Sequence, residues 1–201
     1  HEFGPILKNG DLDNPALACH LSPAVMSYHG IQYQSMAPEV MDSAQLAWLQ
    51  SHLWILSGLY GCVRPFHAVE PYRLEMGAKL AVDDAPDLYA FWSDKLARAI
   101  APAGSNTTIV NLASVEYAKA VLPHLAGDAT VVTCLFGEGI RNGKPIQRST
   151  ASKKARGSMV RWMAENKPED ASGLTAFNIG YRHIPELSDE NTLVFMNAQA
   201  Q

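Results

Sequence analysis

An apolar run from Leu46 to Leu56 stops against Ser57-Gly58-Leu59-Tyr60-Gly61, and this junction limits the folding of the 201-residue chain more tightly than any other stretch. Two glycines bracket a pair of large residues. Glycine takes positive φ without a Cβ clash, so a turn with a glycine on each side folds back sharply and turns backbone N–H groups outward. A concave array of N–H groups suits an anion, most often a phosphate. Arg64 follows three residues after Gly61, and Pro65 restricts it to an extended conformation. The same spacing also describes a helix C-cap followed by a tight packing turn.

A hydrophobic-x-Gly-hydrophobic-x-Gly pattern after a helix resembles the hairpin of helix-hairpin-helix modules, which hold a DNA backbone by its phosphates without reading bases. The net charge of −4 argues against a nucleic-acid partner, but its distribution does not. Residues 1–52 carry one Lys against five acids, and residues 168–201 carry Arg182 against five. From Arg141 to Lys167 the chain carries eight cations, Arg141, Lys144, Arg148, Lys153, Lys154, Arg156, Arg161 and Lys167, against Glu165 alone. A scattered charge run on a solvated helix is the plain alternative.

A hydrophobic content of 47% supports a real core. No run reaches the roughly 20 apolar residues that span a bilayer, and no signal-peptide pattern opens the chain, so a cytoplasmic protein without a membrane partner is expected. Cys19, Cys62 and Cys134 are odd in number and widely separated, which suits buried small hydrophobes better than a disulfide framework or metal site.

Along the chain, the pattern predicts a helix over Asn14–Met26 broken by Pro23, an aromatic turn over Tyr28–Tyr33, and a helix capped at Asp42 and running to Leu56. A strand over Tyr72–Met76 and a helix over Asp87–Ile100 follow, the latter with Leu88, Trp92 and Leu96 on one face. Thr107–Leu112 reads as an interior strand running into a helix from Ser114 to Val121. Thr130–Phe136 reads as a strand, Asn142-Gly143 as a hairpin turn with a return over Ile146–Ser149, Ser149–Asn166 as a helix, and Leu174–Tyr181 and Thr192–Met196 as strands. Together these predict a mixed α/β (α+β) fold in a single compact domain, with a helix-hairpin-helix-like element and a basic cleft.

Several blocks taken in order resemble the YaaA family of bacterial peroxide-stress proteins. They are Leu56-Ser57-Gly58-Leu59-Tyr60-Gly61 with Arg64-Pro65, Pro71-Tyr72-Arg73-Leu74-Glu75-Met76-Gly77, Asn111-Leu112-Ala113-Ser114 with Glu116-Tyr117, Lys153-Lys154-Ala155-Arg156-Gly157, and Gly180-Tyr181. The resemblance implies one YaaA-like domain over residues 1–201 without the family's N-terminal segment. It implies a cytoplasmic protein that limits peroxide damage by lowering free iron, and that binds double-stranded DNA, or another phosphate-bearing ligand, in a positively charged cleft. His67 stands where many members carry an aspartate, so no role passes to that position.

The phosphate-binding set expected on this basis is Ser57, Gly58, Leu59, Tyr60, Gly61, Arg64, Arg73, Ser114, Lys119, Lys153, Lys154, Arg156 and Arg161. The competing reading is an enzyme acting on a nucleobase, nucleoside or nucleotide, for example by glycosidic-bond hydrolysis, with Glu75, Asn111 and Glu116 as its catalytic set. A structural ion pair for Arg73 with Glu75, and a helix cap at Asn111, are the ordinary roles for the same residues. No Walker A, dinucleotide-binding or nucleophile-elbow motif occurs, and no cofactor is expected. The histidines show no metal-ligand spacing, so no metal site is expected and iron control is read as indirect.

Overall fold

The computed structural model describes residues 21–199. In chain order its elements are β1 (Ser22–Pro23), α1 (Ala24–Ser27), α2 (Ile31–Met36), α3 (Ser43–His52), β2 (Ile55–Ser57), β3 (Gly61–Val63), β4 (Ala68–Val69), α4 (Leu88–Trp92), α5 (Lys95–Ile100) and β5 (Thr108–Asn111). They continue with α6 (Val115–Ala118), β6 (Thr130–Gly137), β7 (Ile140–Arg141), β8 (Lys144–Pro145), α7 (Ser149–Asn166), β9 (Tyr181–His183) and β10 (Thr192–Asn197). The fold is mixed α/β. The described residues form two compact units, the first from 21–28 with Leu49–Ser105 and Ala113–Asp128, the second from His29–Trp48, Asn106–Leu112 and 129–199. Most of the helix expected over Asn14–Met26, and Cys19, lie outside the described residues.

The first unit is built on Cys62, Met76, Leu88, Trp92, Leu96, Ala97, Ala120 and Val121. Leu88, Trp92 and Leu96 share the buried face that their spacing predicts, but the helix is split, because Ser93 sits at φ 46 between α4 and α5. The Asp87 carboxylate starts α4 by accepting from the Ala90 amide at 2.8 Å.

The apolar run before the glycines corrects the helical expectation. Helix α3 begins as predicted, with a capping box in which Asp42 and Gln45 exchange hydrogen bonds of 2.8 and 3.0 Å. It ends at His52, four residues early. The Arg64 guanidinium stacks 3.7 Å over the Trp54 ring and donates to the Ser51 and Leu53 carbonyls at 3.1 and 3.3 Å, which places a cation at the helix C-terminus. Ile55–Ser57 then pairs antiparallel with Gly61–Val63. The glycine element is therefore a strand-turn-strand hairpin rather than a turn between helices. In Tyr72–Met76 exposed Arg73 and Glu75 alternate with half-buried Tyr72 and Leu74 and buried Met76, as in a strand, but the segment forms no strand among the described residues.

In the second unit, a four-stranded sheet runs β5-β6-β10-β9, with β5, β6 and β10 parallel and β9 antiparallel. The expected interior strand at Thr107–Leu112 is β5, at the sheet edge. Its β-branched residues report a pleated surface, not a rank within the sheet. Of the stretch read as a strand from Leu174, the first part is a 3-10 turn over Ala171–Ala176, which the Asp170 carboxylate caps through the Ser172 and Gly173 amides. The return of the Asn142-Gly143 hairpin comes earlier than expected, at Lys144–Pro145, with φ of 52 and 73 at the two turn residues. Tyr28–Tyr33, read as a turn, leads into α2.

Helix α7 has the predicted bounds. Ala155, Met159 and Trp162 pack with Cys134, Phe136, Phe177 and Phe195. At Gly157 the helix meets α2, and a Cβ there would run into the Gln32 carbonyl. In an isolated helix, Gly→Ala stabilises by about 1 kcal/mol. Here the sign reverses: Gly157→Ala is expected to destabilise by about 1–3 kcal/mol through overpacking. Urea denaturation measures this, and a variant as stable as the parent contradicts the crossing.

Candidate functional site

In the first unit, the hairpin turns its polar groups inward. Ser57 is fully buried, and its hydroxyl shares a 2.5 Å hydrogen bond with the Tyr72 hydroxyl while accepting the Tyr60 amide at 2.8 Å. The chain of hydroxyls extends from Tyr72 to Tyr28 at 2.9 Å, and the Tyr28 and Tyr60 rings stand edge-on to Tyr72. The Gly58 carbonyl accepts Trp92 Nε1 at 3.0 Å, and a Cβ on Gly58 would lie 2.8 Å from the Leu74 carbonyl oxygen. Gly61 adopts φ +75 with Trp92 and Leu96 where its Cβ would be. Both glycines thus meet close approaches within this unit, and Leu59 alone of the turn is exposed, at 47%.

Arg64 is committed to Trp54 and the α3 carbonyls as described. Arg73 and Glu75 are exposed on the unpaired segment. Glu116 Oε1 accepts the Gly77 amide at 2.8 Å, its backbone carbonyl accepts the Tyr89 hydroxyl at 3.2 Å, and the Lys119 ammonium sits 4.4 Å over the Tyr89 ring. Ser114 occupies the N-cap position of α6 without a side-chain cap bond. Tyr117 stands beside this group. Burial, then the neighbouring Tyr72, Glu116 and Glu75, push its phenol up to about 12. Two of the three expected catalytic residues, Glu75 and Glu116, therefore act on one phenol. Tyr72 and Tyr28 escape a sequence reading because the hydroxyl chain joins residues far apart in sequence, whereas Tyr117 stands in the Glu116-Tyr117 pair quoted above. The only signal for Tyr72 was its place in the Pro71–Gly77 block.

In the second unit, the Asn111 side chain reaches across β5 to β6, donating to Thr133 Oγ1 at 3.3 Å. Arg141 and Lys144 face each other in register on the β7–β8 hairpin, and they, Arg148, Lys153 and Lys154 are all exposed. None of these five takes part in an ion pair among the described residues. Arg161 is paired with Glu165 at 2.8 Å. Arg156 is half-buried, its Nε has no hydrogen-bond partner, and burial lowers its pKa. Among the described residues, no group of three or more His, Cys, Asp or Glu is placed to hold a metal ion, and no helix is long and apolar enough to cross a membrane.

Comparison with known proteins adds a family. The sequence profile described as peroxide stress protein YaaA matches residues 6–187. A UPF0246 protein of Desulfitobacterium hafniense is 44% identical over 92% of this chain and 73% of its own length. Similar proteins of Pediococcus pentosaceus and Lactiplantibacillus plantarum are 47% and 43% identical over 90% of this chain, covering 71% and 72% of their lengths.

Tyr117 gives a pH signature. An unfolded tyrosine loses its proton near pH 10, whereas folded Tyr117 keeps it to about pH 12. The folded state binds more protons across that window, so this contribution is complete below pH 10 and is lost as pH rises through 12. Urea denaturation across this range should show a shallower fall in Tyr117→Phe than in the parent, and identical slopes contradict the assignment. Buried Cys62, pushed up to about 11, adds a fall that starts lower and is common to both proteins.

Proposed function

The chain belongs to the YaaA family of peroxide stress proteins, UPF0246, and from that premise we propose that it binds double-stranded DNA without sequence preference and helps limit intracellular free iron and oxidative damage in the cytoplasm. The observation that carries the proposal is the run of exposed cations Arg141, Lys144, Arg148, Lys153 and Lys154, in a segment with no acid between Glu138 and Glu165. Unpaired cations on one unit suit the phosphate backbone, which binds them by releasing counterions and carries no base information. The glycine hairpin contributes through its fold: with the Ser57 hydroxyl, the Tyr60 amide and the Gly58 carbonyl bonded internally, phosphate contacts are assigned to the cation run first. The effect on iron is proposed to be indirect, and no residue is assigned to it.

The enzyme reading keeps one supporting feature, the charges of Glu75 and Glu116, both of which raise the Tyr117 phenol. A screen of nucleosides and nucleotides for base release or exchange tests it, with Glu75→Gln expected to abolish any turnover while the fold is retained.

Titration of random duplexes at several salt concentrations tests DNA binding. Four contacts give a log–log slope of about −3.6 and an affinity loss of roughly 10² between 50 and 200 mM salt. Replacing Lys153 and Lys154 by Ala should flatten the slope by about 2 and weaken all sequences alike. Absence of binding at low salt, or an unchanged slope in the double variant, overturns the reading. In cells, the same variant is expected to raise the free iron seen by whole-cell paramagnetic resonance after peroxide exposure.

A further inference from the structure

A cavity in the second unit brings together Glu138, Tyr181 and Asn197, to which no role has been assigned, with Lys154 of the cation run. Strands β6 and β10 run parallel in register, from Thr133 opposite Thr192 to Gly137 opposite Met196. Asn197, the last residue of β10, and Glu138, directly after β6, are thereby delivered side by side at the carboxyl ends. That end of an open parallel sheet is where α/β folds take ligands. Glu138 Oε1 accepts the Tyr181 hydroxyl at 2.5 Å, and Oε2 accepts Asn197 Nδ2 at 2.8 Å. The two donors fix the carboxylate in place, and each oxygen keeps a lone pair for a further donor. Ala151 and Lys154, one turn apart on α7, line the same cavity with Gln199, around a volume of about 340 Å³.

The charges in this cavity are separated. Lys154 and Glu138 both line it, but they form no ion pair with each other. An ammonium and a carboxylate kept apart around an open volume are complementary to a molecule with an anionic group at one end and a hydrogen-bond donor at the other. The small residue Ala151 leaves room between the polar ends, and the volume lies at the small end of the range for ligand pockets. Tyr181 remains a donor at any physiological pH, because burial and the hydrogen bond to Glu138 push its phenol well above the usual range.

We propose that this cavity binds a small amine-bearing anion, its phosphate or carboxylate on Lys154 and its amine on Glu138. An aminated nucleoside monophosphate and a free α-amino acid share this chemistry. The proposal does not depend on DNA binding, and loss of either leaves the other standing.

Calorimetric titration of the full chain with AMP, adenosine, inorganic phosphate and glutamine tests it. Saturable binding of AMP or of glutamine is expected, and which of the two binds identifies the source. Adenosine and phosphate, each lacking one end, should bind at least about tenfold more weakly than AMP if the nucleotide is the ligand, the loss of one charge-assisted hydrogen bond. Lys154→Met and the isosteric Glu138→Gln should each weaken binding about tenfold or more, while Lys79→Met, at an exposed lysine outside the cavity, leaves it unchanged. Tyr181→Phe serves as a second variant on the Glu138 side, since it keeps the ring against Phe136. Shift changes in amide spectra should cluster at 138, 151–154, 181 and 197–199. No saturable binding of AMP or glutamine at millimolar concentration, or equal binding by Lys154→Met and the parent, overturns the proposal.

Discussion

Gly157 lies against the Gln32 carbonyl with no space for a methyl group, and this crossing of α7 on α2 fixes what the remaining faces of α7 can do. A second face is committed to Cys134, Phe136, Phe177 and Phe195 through Ala155, Met159 and Trp162. Two packing faces on one helix leave a single polar stripe, and Lys153 and Lys154 occupy it. The same rotation brings Lys154 to the cavity at the ends of β6 and β10. A helix free to turn by one residue would present different cations and dissolve the cavity wall together. Helix position and surface chemistry therefore have one cause here, a glycine without a side chain.

The glycine hairpin works in the opposite sense. Its glycines admit close neighbours: Gly58 accepts the approach of Leu74, and Gly61 that of Trp92 and Leu96. Ser57, at the end of β2, binds the turn through the Tyr60 amide and the rest of the unit through Tyr72. A buried hydroxyl needs such partners, since an unbonded one costs about 1–3 kcal/mol. Arg64, three residues past the turn, closes the preceding helix. The residues that resembled a phosphate cradle thus hold together the strands, the segment after them and the end of α3.

Much of the second unit was legible in the sequence. The apolar spacing of Ala155, Met159 and Trp162 sets α7, the Asn142-Gly143 pair sets its hairpin, and the apolar runs at 130–137 and 192–197 are central strands of the sheet. Local chemistry decides each of these. The features that could not be read are nonlocal. Helix α3 stops at His52 because the Arg64 guanidinium, thirteen and eleven residues further on, takes the Ser51 and Leu53 carbonyls, and nothing before Leu56 announces it. The rank of β5 depends on which strands pair beside it. The hydroxyl chain Ser57–Tyr72–Tyr28, and the meeting of Glu138 with Asn197, link residues 15 to 59 positions apart. Among the candidate site residues, the exposed cations followed from charge patterning alone. Glu75 and Glu116 were grouped with Asn111 from their residue types, but that the charges of both fall on Tyr117 depends on how that phenol is placed.

Assigning phosphate contacts to the cation run, with the glycine turn engaged inside its own unit, makes a spatial claim that one measurement reaches. Amide hydrogen exchange of the full chain, with and without a duplex of about 20 base pairs at low salt, reports contact along the whole sequence. Slowed exchange over 141–154, with 57–61 unchanged, is the expected result. Slowing confined to 57–61, with 141–154 exchanging as in the free protein, would contradict it.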